Sequence, residues 1–137
     1  LYISTEWGTQ VCGAIDGIEL PLELMGNGLR RVFAYVAAVL QARAGALLID
    51  EIENGLHYSH YAGVWKALCS TAHLEGVQLF AVTHSAEFLR AALTSTSNES
   101  PSLAVCWRLD RVDGKVQVTR ISTGEALAAD EFGVDIR

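Results

Sequence analysis

Apolar positions in the first 21 residues come in short pieces, "LYIST", "QVCGAI" and "IELPL". They are separated by Gly8, Gly17 and an Asp16–Gly17 turn signal, and each is read as a β-strand. From Gly28 the period changes. Leu29, Val32, Phe33, Val36, Val39 and Leu40 recur at helical spacing, which predicts an amphipathic helix over about 28–43, ended by Gly45. "ALLID", 46–50, is a continuous apolar run closed by an acid, the pattern of a strand buried on both faces of a parallel sheet. A second helix is expected over roughly 57–74, with Tyr58, Tyr61, Trp65, Leu68, Cys69 and Ala72 on one side and Gly76 beyond its end. "VQLFAVTH" is the next buried strand, and Ser85 is placed to cap a helix over about 86–94.

Strand, helix, strand, helix with short links is βαβ organisation. It implies a right-handed crossover and an α/β fold whose main sheet is parallel and flanked by helices. The polar stretch "TSTSNESPS", 94–102, reads as a loop. Beyond it "LAVCWRLDR" and "KVQVTRIS" flank Val112, Asp113 and Gly114 as an antiparallel hairpin, so 103–137 is a hairpin and tail, with a short helix from Gly124. The 137 residues are read as a single domain with one core.

Composition narrows the role. Half of the residues are apolar, as in a globular chain. The longest apolar stretch, Val32 to Leu40, is too short for a bilayer and is closed by Gln41 and Arg43, so no membrane partner is expected. No charged, apolar-cored leader opens the chain. It begins with Leu and runs directly into strand-like sequence, as a chain with its leader removed or a piece of something longer would. The net charge is −6 with only two lysines, Lys66 and Lys115, which makes a poor phosphate-neutralising surface; DNA is not indicated. Cys12, Cys69 and Cys106 lack CxxC spacing, which fits buried thiols in a reducing cytoplasmic compartment.

The candidate chemistry lies in "ALLIDEIENGLH", 46–57, where Asp50, Glu51 and Glu53 follow the first buried strand. In an open α/β sheet, ligands gather beyond the carboxyl ends of the strands. Asp50 ends one such strand and Thr83–His84 ends the next. If the strands are neighbours, Asp50, Glu51 and His84 share a crevice suited to metal-assisted phosphoryl transfer. An apolar strand followed by Asp-Glu is the Walker B pattern, although acids in this position also serve simply to cap loops. Upstream, "LMGNGLRR" places Gly26 and Gly28 at the start of the long helix, where uncovered backbone N–H groups can meet an anion. A plain loop-to-helix turn has the same appearance.

The order of these motifs resembles the C-terminal half of an ATP-binding-cassette-like ATPase. It is closest to the stand-alone bacterial AAA family ATPases related to the overcoming-lysogenisation-defect and chromosome-maintenance groups. The resemblance covers about residues 20–93, and the closing "WRLDRVDGKVQVTRIS…EFGVDIR" also resembles that family's hairpin and tail. It implies a P-loop NTPase fold of the ATP-binding-cassette type. Asp50 is then the acid that binds Mg²⁺ through water, Glu51 the general base, and His84 the switch histidine at the γ-phosphate. Gly26, Asn27 and Gly28 are the signature motif facing a partner subunit's nucleotide. Glu53 to His57, including Asn54 and Gly55, form the D-loop at a dimer interface.

The resemblance further implies ATP and Mg²⁺ as cofactors, a second copy as partner, and a nuclease or effector protein as a further partner. This sequence departs from the pattern twice. Gly26 stands where transporters commonly have a signature serine, and His57 where the D-loop often has an aspartate.

A phosphate-binding loop requires GxxxxGK followed by Ser or Thr. The only Gly-Lys pair, Gly114–Lys115, has Leu109 in the first glycine position and Val116 in the hydroxyl position. The expectation is therefore a C-terminal lobe whose Walker A segment lies in its missing N-terminal part, and which is inactive alone. Two other functions compete: a metal-dependent phosphoesterase using Asp50, Glu51 and Glu53 directly, and a non-catalytic module that kept the fold. A zinc site at His57 and His60 with Glu53 lacks the four ligands that structural zinc takes, and a solvated helix end accounts for these residues. Tyr58, Tyr61 and Trp65 are expected in the core. Arg30 and Arg31 are read as a polar helix face or a phosphate contact.

Overall fold

The computed structural model describes residues 2–4, 10–15, 17–97, 104–122 and 124–125. The strands β1 (Tyr2–Ser4), β2 (Gln10–Ile15) and β3 (Ile18–Pro21) form an antiparallel meander in the order β1-β2-β3. Ile15 opposes Ile18 across the turn, as the Asp16–Gly17 signal requires. A short 3-10 turn, Leu22–Leu24, leads to Gly26 and helix α1, Asn27–Gln41. Then follow β4 (Ala46–Ile49), α2 (Tyr61–Glu75), β5 (Gln78–Ala81) and α3 (Ala86–Ser97). Strands β4 and β5 are parallel neighbours, with Leu47 opposite Leu79 and Ile49 opposite Ala81.

Helix α2 stops where the sequence stops it. Gly76 takes the left-handed conformation (φ 66°), its N–H reaches the His73 carbonyl, and the Val77 N–H reaches that of Ala72. This is the Schellman arrangement, and it drops Val77 into the core just before β5 begins.

One core lies between the helices and one face of the β4–β5 pair. Val39 of α1, Val64, Leu68 and Ala72 of α2, and Phe88 and Ala92 of α3 meet Ile49, Ile52 and Val77 there. Phe88 stands edge-on to the rings of Tyr61 (5.1 Å between centroids) and Trp65 (6.0 Å). The opposite face is bare: Leu48 is 75% and Phe80 48% exposed, with Val82 beside them. The expectation of a strand buried on both faces is therefore corrected. All three helices pack into one cluster with the Leu47, Ile49, Leu79 and Ala81 side, and in a pleated strand the alternate residues must point the other way.

Two further expectations shift. Tyr58 is not part of the core stripe: it sits in a 3-10 turn, Tyr58–His60, before α2 begins, is 70% exposed, and stacks on His57 at 4.4 Å. Residues 94–97, read as loop, extend α3 to Ser97. The Ser95 and Thr96 hydroxyls bond back to the Ala91 and Ala92 carbonyls, and the Trp65 indole N–H donates to Thr96 Oγ1 at 2.9 Å. Polar residues that normally favour loops are thereby kept in helix. The remainder of the expected loop, 98–102, lies outside the described residues.

The hairpin is present as β6 (Cys106–Val112) and β7 (Lys115–Ile121). Asp113 (φ 49°) and Gly114 (φ 76°) make its two-residue turn, which needs positive φ at both positions. Cys106 and Ile121 pack against Leu89 and Leu93 of α3. Gly124 and Glu125 are helical, and Ser122 and Glu125 exchange backbone-to-side-chain bonds as a capping box; the rest of the expected tail lies outside the described residues. Among the described residues no helix is long and apolar enough to cross a membrane.

Candidate functional site

The site begins where β4 runs out. Asp50 is exposed at the strand's carboxyl end, and its Oδ1 accepts the Glu51 N–H at 3.1 Å. Glu51 is in the left-handed region (φ 45°), a conformation unfavourable for a residue with a Cβ and one that turns the chain sharply off the sheet. Its exposed carboxylate accepts from the Asn54 side-chain amide at 3.3 Å. Between exposed Glu51 and partly buried Glu53, Ile52 is fully buried and holds the loop down. Its N–H donates to the Val82 carbonyl at 3.2 Å, while the Val82 N–H donates to Ile49 at 2.8 Å. The backbone ladder thus carries the two strand ends together past the regular strands.

Glu53 turns toward β5. Its Oε1 accepts the His84 N–H at 3.0 Å. Burial pulls the Glu53 carboxyl pKa up, but the Thr83 hydroxyl, its own backbone N–H, the His84 N–H and the His84 charge together hold it below the ordinary glutamate value. Oε2, by contrast, is buried and makes no hydrogen bond of normal geometry. After His84, the Ser85 N–H is held by Thr83 Oγ1 at 3.0 Å, and Ser85 Oγ caps α3 by accepting the Phe88 N–H at 3.1 Å. His84 itself is exposed.

A second group gathers at the start of α1. Gly26 (φ 86°) precedes the helix and Asn27 opens it. Gly28 lies so close to the 54–55 turn that a Cβ there would stand 3.3 Å from the Gly55 carbonyl oxygen. An open cleft of about 470 Å³ is lined by Asn27, Arg30, Arg31, Ala34, Asn54 and Gly55. Two guanidinium groups, two side-chain amides and a helix N-terminus make it suited to an anion. Arg31 also borders a second cleft, of about 450 Å³, with Tyr35, Leu48 and Asp50. It donates to Tyr35 Oη at 3.1 Å, and that hydroxyl donates to the Ile52 carbonyl at 3.4 Å.

A protein-family model described as "AAA domain, putative AbiEii toxin, Type IV TA system" matches residues 15–90. The chain belongs to this AAA-domain family. A curated relative, an "ATP/GTP phosphatase" of Helicobacter pylori, is 34% identical over 74 residues, which are 52% of this chain and 20% of that protein. The chain thus spans a fifth of the relative's length. A solved structure from work on "ATP-driven dimerization and DNA stimulated activation of SMC ATPases" superposes with a TM-score of 0.67 at 16% identity, over 98% of this chain and 81% of that one. The P-loop NTPase fold expected from the motif order is therefore the fold of this AAA-domain chain.

Within this AAA-domain chain, the expected site residues fall into two adjoining groups. Asp50 and Glu51 follow β4 and His84 follows its parallel neighbour β5, with Glu53 bonded to the His84 N–H, and Asn27, Gly28, Asn54 and Gly55 meet at the start of α1. His57 is turned elsewhere, with its Nδ1 at 2.9 Å from Ser59 Oγ. Among the described residues no three or more His, Cys, Asp or Glu side chains converge as a metal cage. Asp50 instead offers a single exposed carboxylate of hard oxygens, the donor set that suits Mg²⁺ completed by water and nucleotide phosphates. Three connections escaped the sequence reading: Asn54 to Glu51, Glu53 to His84, and the Arg31–Tyr35–Ile52 relay. The i,i+4 spacing of Arg31 and Tyr35 and the i,i+3 spacing of Glu51 and Asn54 are the local signals among them.

Proposed function

We propose that the protein carrying this chain is a Mg²⁺-dependent ATPase of the ATP-binding-cassette type, and that this chain supplies the lobe holding the water-activating half of its site. Asp50 holds Mg²⁺ through water. Glu51, exposed beside it and oriented by Asn54, takes a proton from the attacking water. His84 donates to the terminal phosphate. The principal phosphate cradle comes from a Walker A segment elsewhere in the longer protein. The start of α1, with Gly26, Asn27 and Gly28, and the turn with Asn54, Gly55 and His57 face a second copy. Nucleotide bound between the copies then favours a dimer. When bound, Mg²⁺ supplies charge stabilisation at the phosphates; the chain's own residues position the water and move its proton.

The observation that supports this most strongly is the joining of the two parallel strand ends. The Ile52–Val82 backbone bond and the Glu53–His84 contact tie the loop that carries the acids to the segment that carries the histidine. The family match and the H. pylori relative support nucleotide hydrolysis. The widely spaced cysteines, free and without CxxC pairing, support work in a reducing, cytoplasmic compartment.

Glu51→Gln in the full-length protein is expected to lower ATP turnover by about 10²–10⁴-fold, the usual contribution of a general base, while ATP binding persists. Turnover equal to that of the parent would remove Glu51 from the role.

A further inference from the structure

Glu53 lies just past the acids assigned to chemistry, and its partly buried side chain turns toward the segment that follows β5. Among the described residues, its Oε2 is the one buried side-chain polar atom without a hydrogen-bond partner. A carboxylate in such a place is unfavourable unless something specific holds it, and what holds it is the backbone of the switch segment. Residues 82–85 belong to neither β5 nor α3. Val82 is fixed to β4 through Ile49, Ser85 is fixed locally through Thr83, and Phe88 is fixed by the Ser85 cap. The His84 N–H lies between these anchors, and it is bonded across 31 positions of sequence to Glu53 Oε1.

We infer that Glu53 is the positioning residue of His84, a carboxylate strut that sets the height and direction of the histidine's backbone above the strand ends. This rests on the proposed reading of His84 as the group that meets the terminal phosphate. A charge-assisted bond to a backbone N–H leaves the imidazole itself free, so the ring stays exposed to ligand while its Cα is held. The adjoining residue does the same for the other reacting group, since Asn54 holds Glu51. One turn of chain, 53–54, therefore orients both the base and the phosphate sensor. The "EN" in "DEIENG" is accordingly an inward-facing brace as well as a part of the interface turn.

The experiment uses the full-length protein with three variants, Glu53→Ala, Glu53→Gln and His84→Ala. The readouts are ATP turnover and hydrogen exchange at the His84 amide. In Glu53→Ala the His84 amide is expected to exchange about tenfold faster or more, the loss of one charge-assisted bond. The Ile52 and Val82 amides, held by backbone partners, keep their protection. The value of kcat falls by about 10–100-fold with KM for ATP changed less than about threefold, because orientation is lost and binding is not. Glu53→Gln retains an acceptor oxygen and recovers the His84 protection and most of kcat.

An unchanged His84 amide in Glu53→Ala, or an unchanged kcat alongside an exposed amide, overturns the inference. So does equal loss of protection at Ile52, Val82 and His84, which would make Glu53 a general structural residue. If His84→Ala turns over ATP as fast as the parent, the reading of His84 fails separately, while the amide exchange still decides whether Glu53 holds its backbone.

Discussion

Ile52 offers the clearest measure of how firmly the acidic loop is tied to the core. It is fully buried between exposed Glu51 and partly buried Glu53, and its backbone bonds both Val82, just past β5, and the Tyr35 hydroxyl. Ile52→Val removes one methyl group and is expected to destabilise by about 0.5–1.5 kcal/mol, whereas Ile52→Ala leaves a cavity and is expected to lose about 2–5 kcal/mol. With a urea m-value of about 1.5 kcal/mol per molar, a loss of ~3 kcal/mol lowers the unfolding midpoint by about 2 M. Far-UV circular dichroism in a urea series gives this directly. Because the N–H of residue 52 can still donate to the Val82 carbonyl in both variants, the amide of residue 52 should keep part of its exchange protection. A loss below about 1 kcal/mol in Ile52→Ala would refute the argument, since it would mean that the loop is held by its backbone alone and the side chain adds little packing.

Other outcomes follow from individual contacts. Ser85→Ala removes the α3 cap and should cost about 1 kcal/mol of stability, seen as a lower thermal midpoint. Trp65→Phe removes the indole bond to Thr96 and should cost about 1 kcal/mol in the same assay, with faster exchange in the last turn of α3. The depressed Glu53 carboxyl contributes stability that is complete above the ordinary glutamate value of 4.5 and is lost as pH falls through its lower folded value. The stability of Glu53→Gln should therefore depend less on pH below that point than the parent's does, which urea midpoints between pH 3 and 6 would check as a roughly flatter profile. Burial pushes the Cys106 thiol up, so it should react more slowly with iodoacetamide at mildly alkaline pH than a solvent-exposed cysteine; equal rates would contradict its packing against α3.

Much of the architecture was legible because it is local. The helical spacing from Leu29 to Leu40 specified α1, Gly76 its neighbour's end, Asp113–Gly114 the hairpin turn, and Ser85 the cap of α3. Each depends on residues within a turn or two of one another. The order of "MGNG", "ALLIDEIENG" and "VTHS" likewise carried the family and the strand ends where chemistry belongs.

Where the reading stopped, the deciding contacts were long-range. Composition made "ALLID" look buried on both faces, yet only the arrangement of three helices on one side determines which face of β4 is covered. "TSTS" carries loop propensity, and it took Trp65, about thirty positions away, to help hold Thr96 in helix. Glu53 has the same physical reason behind it. From its neighbours it is one acid among three. Its partner, the His84 N–H, is 31 positions distant, and only the parallel pairing of β4 with β5 brings the two within 3.0 Å. The sequence by itself determined which elements form and which side chains are candidates for chemistry, since propensity, capping and motif order act over a few residues. The tertiary structure alone decided which of those side chains stay exposed at the strand ends and which bond across to another segment, because that depends on groups that become neighbours only when the strands pair.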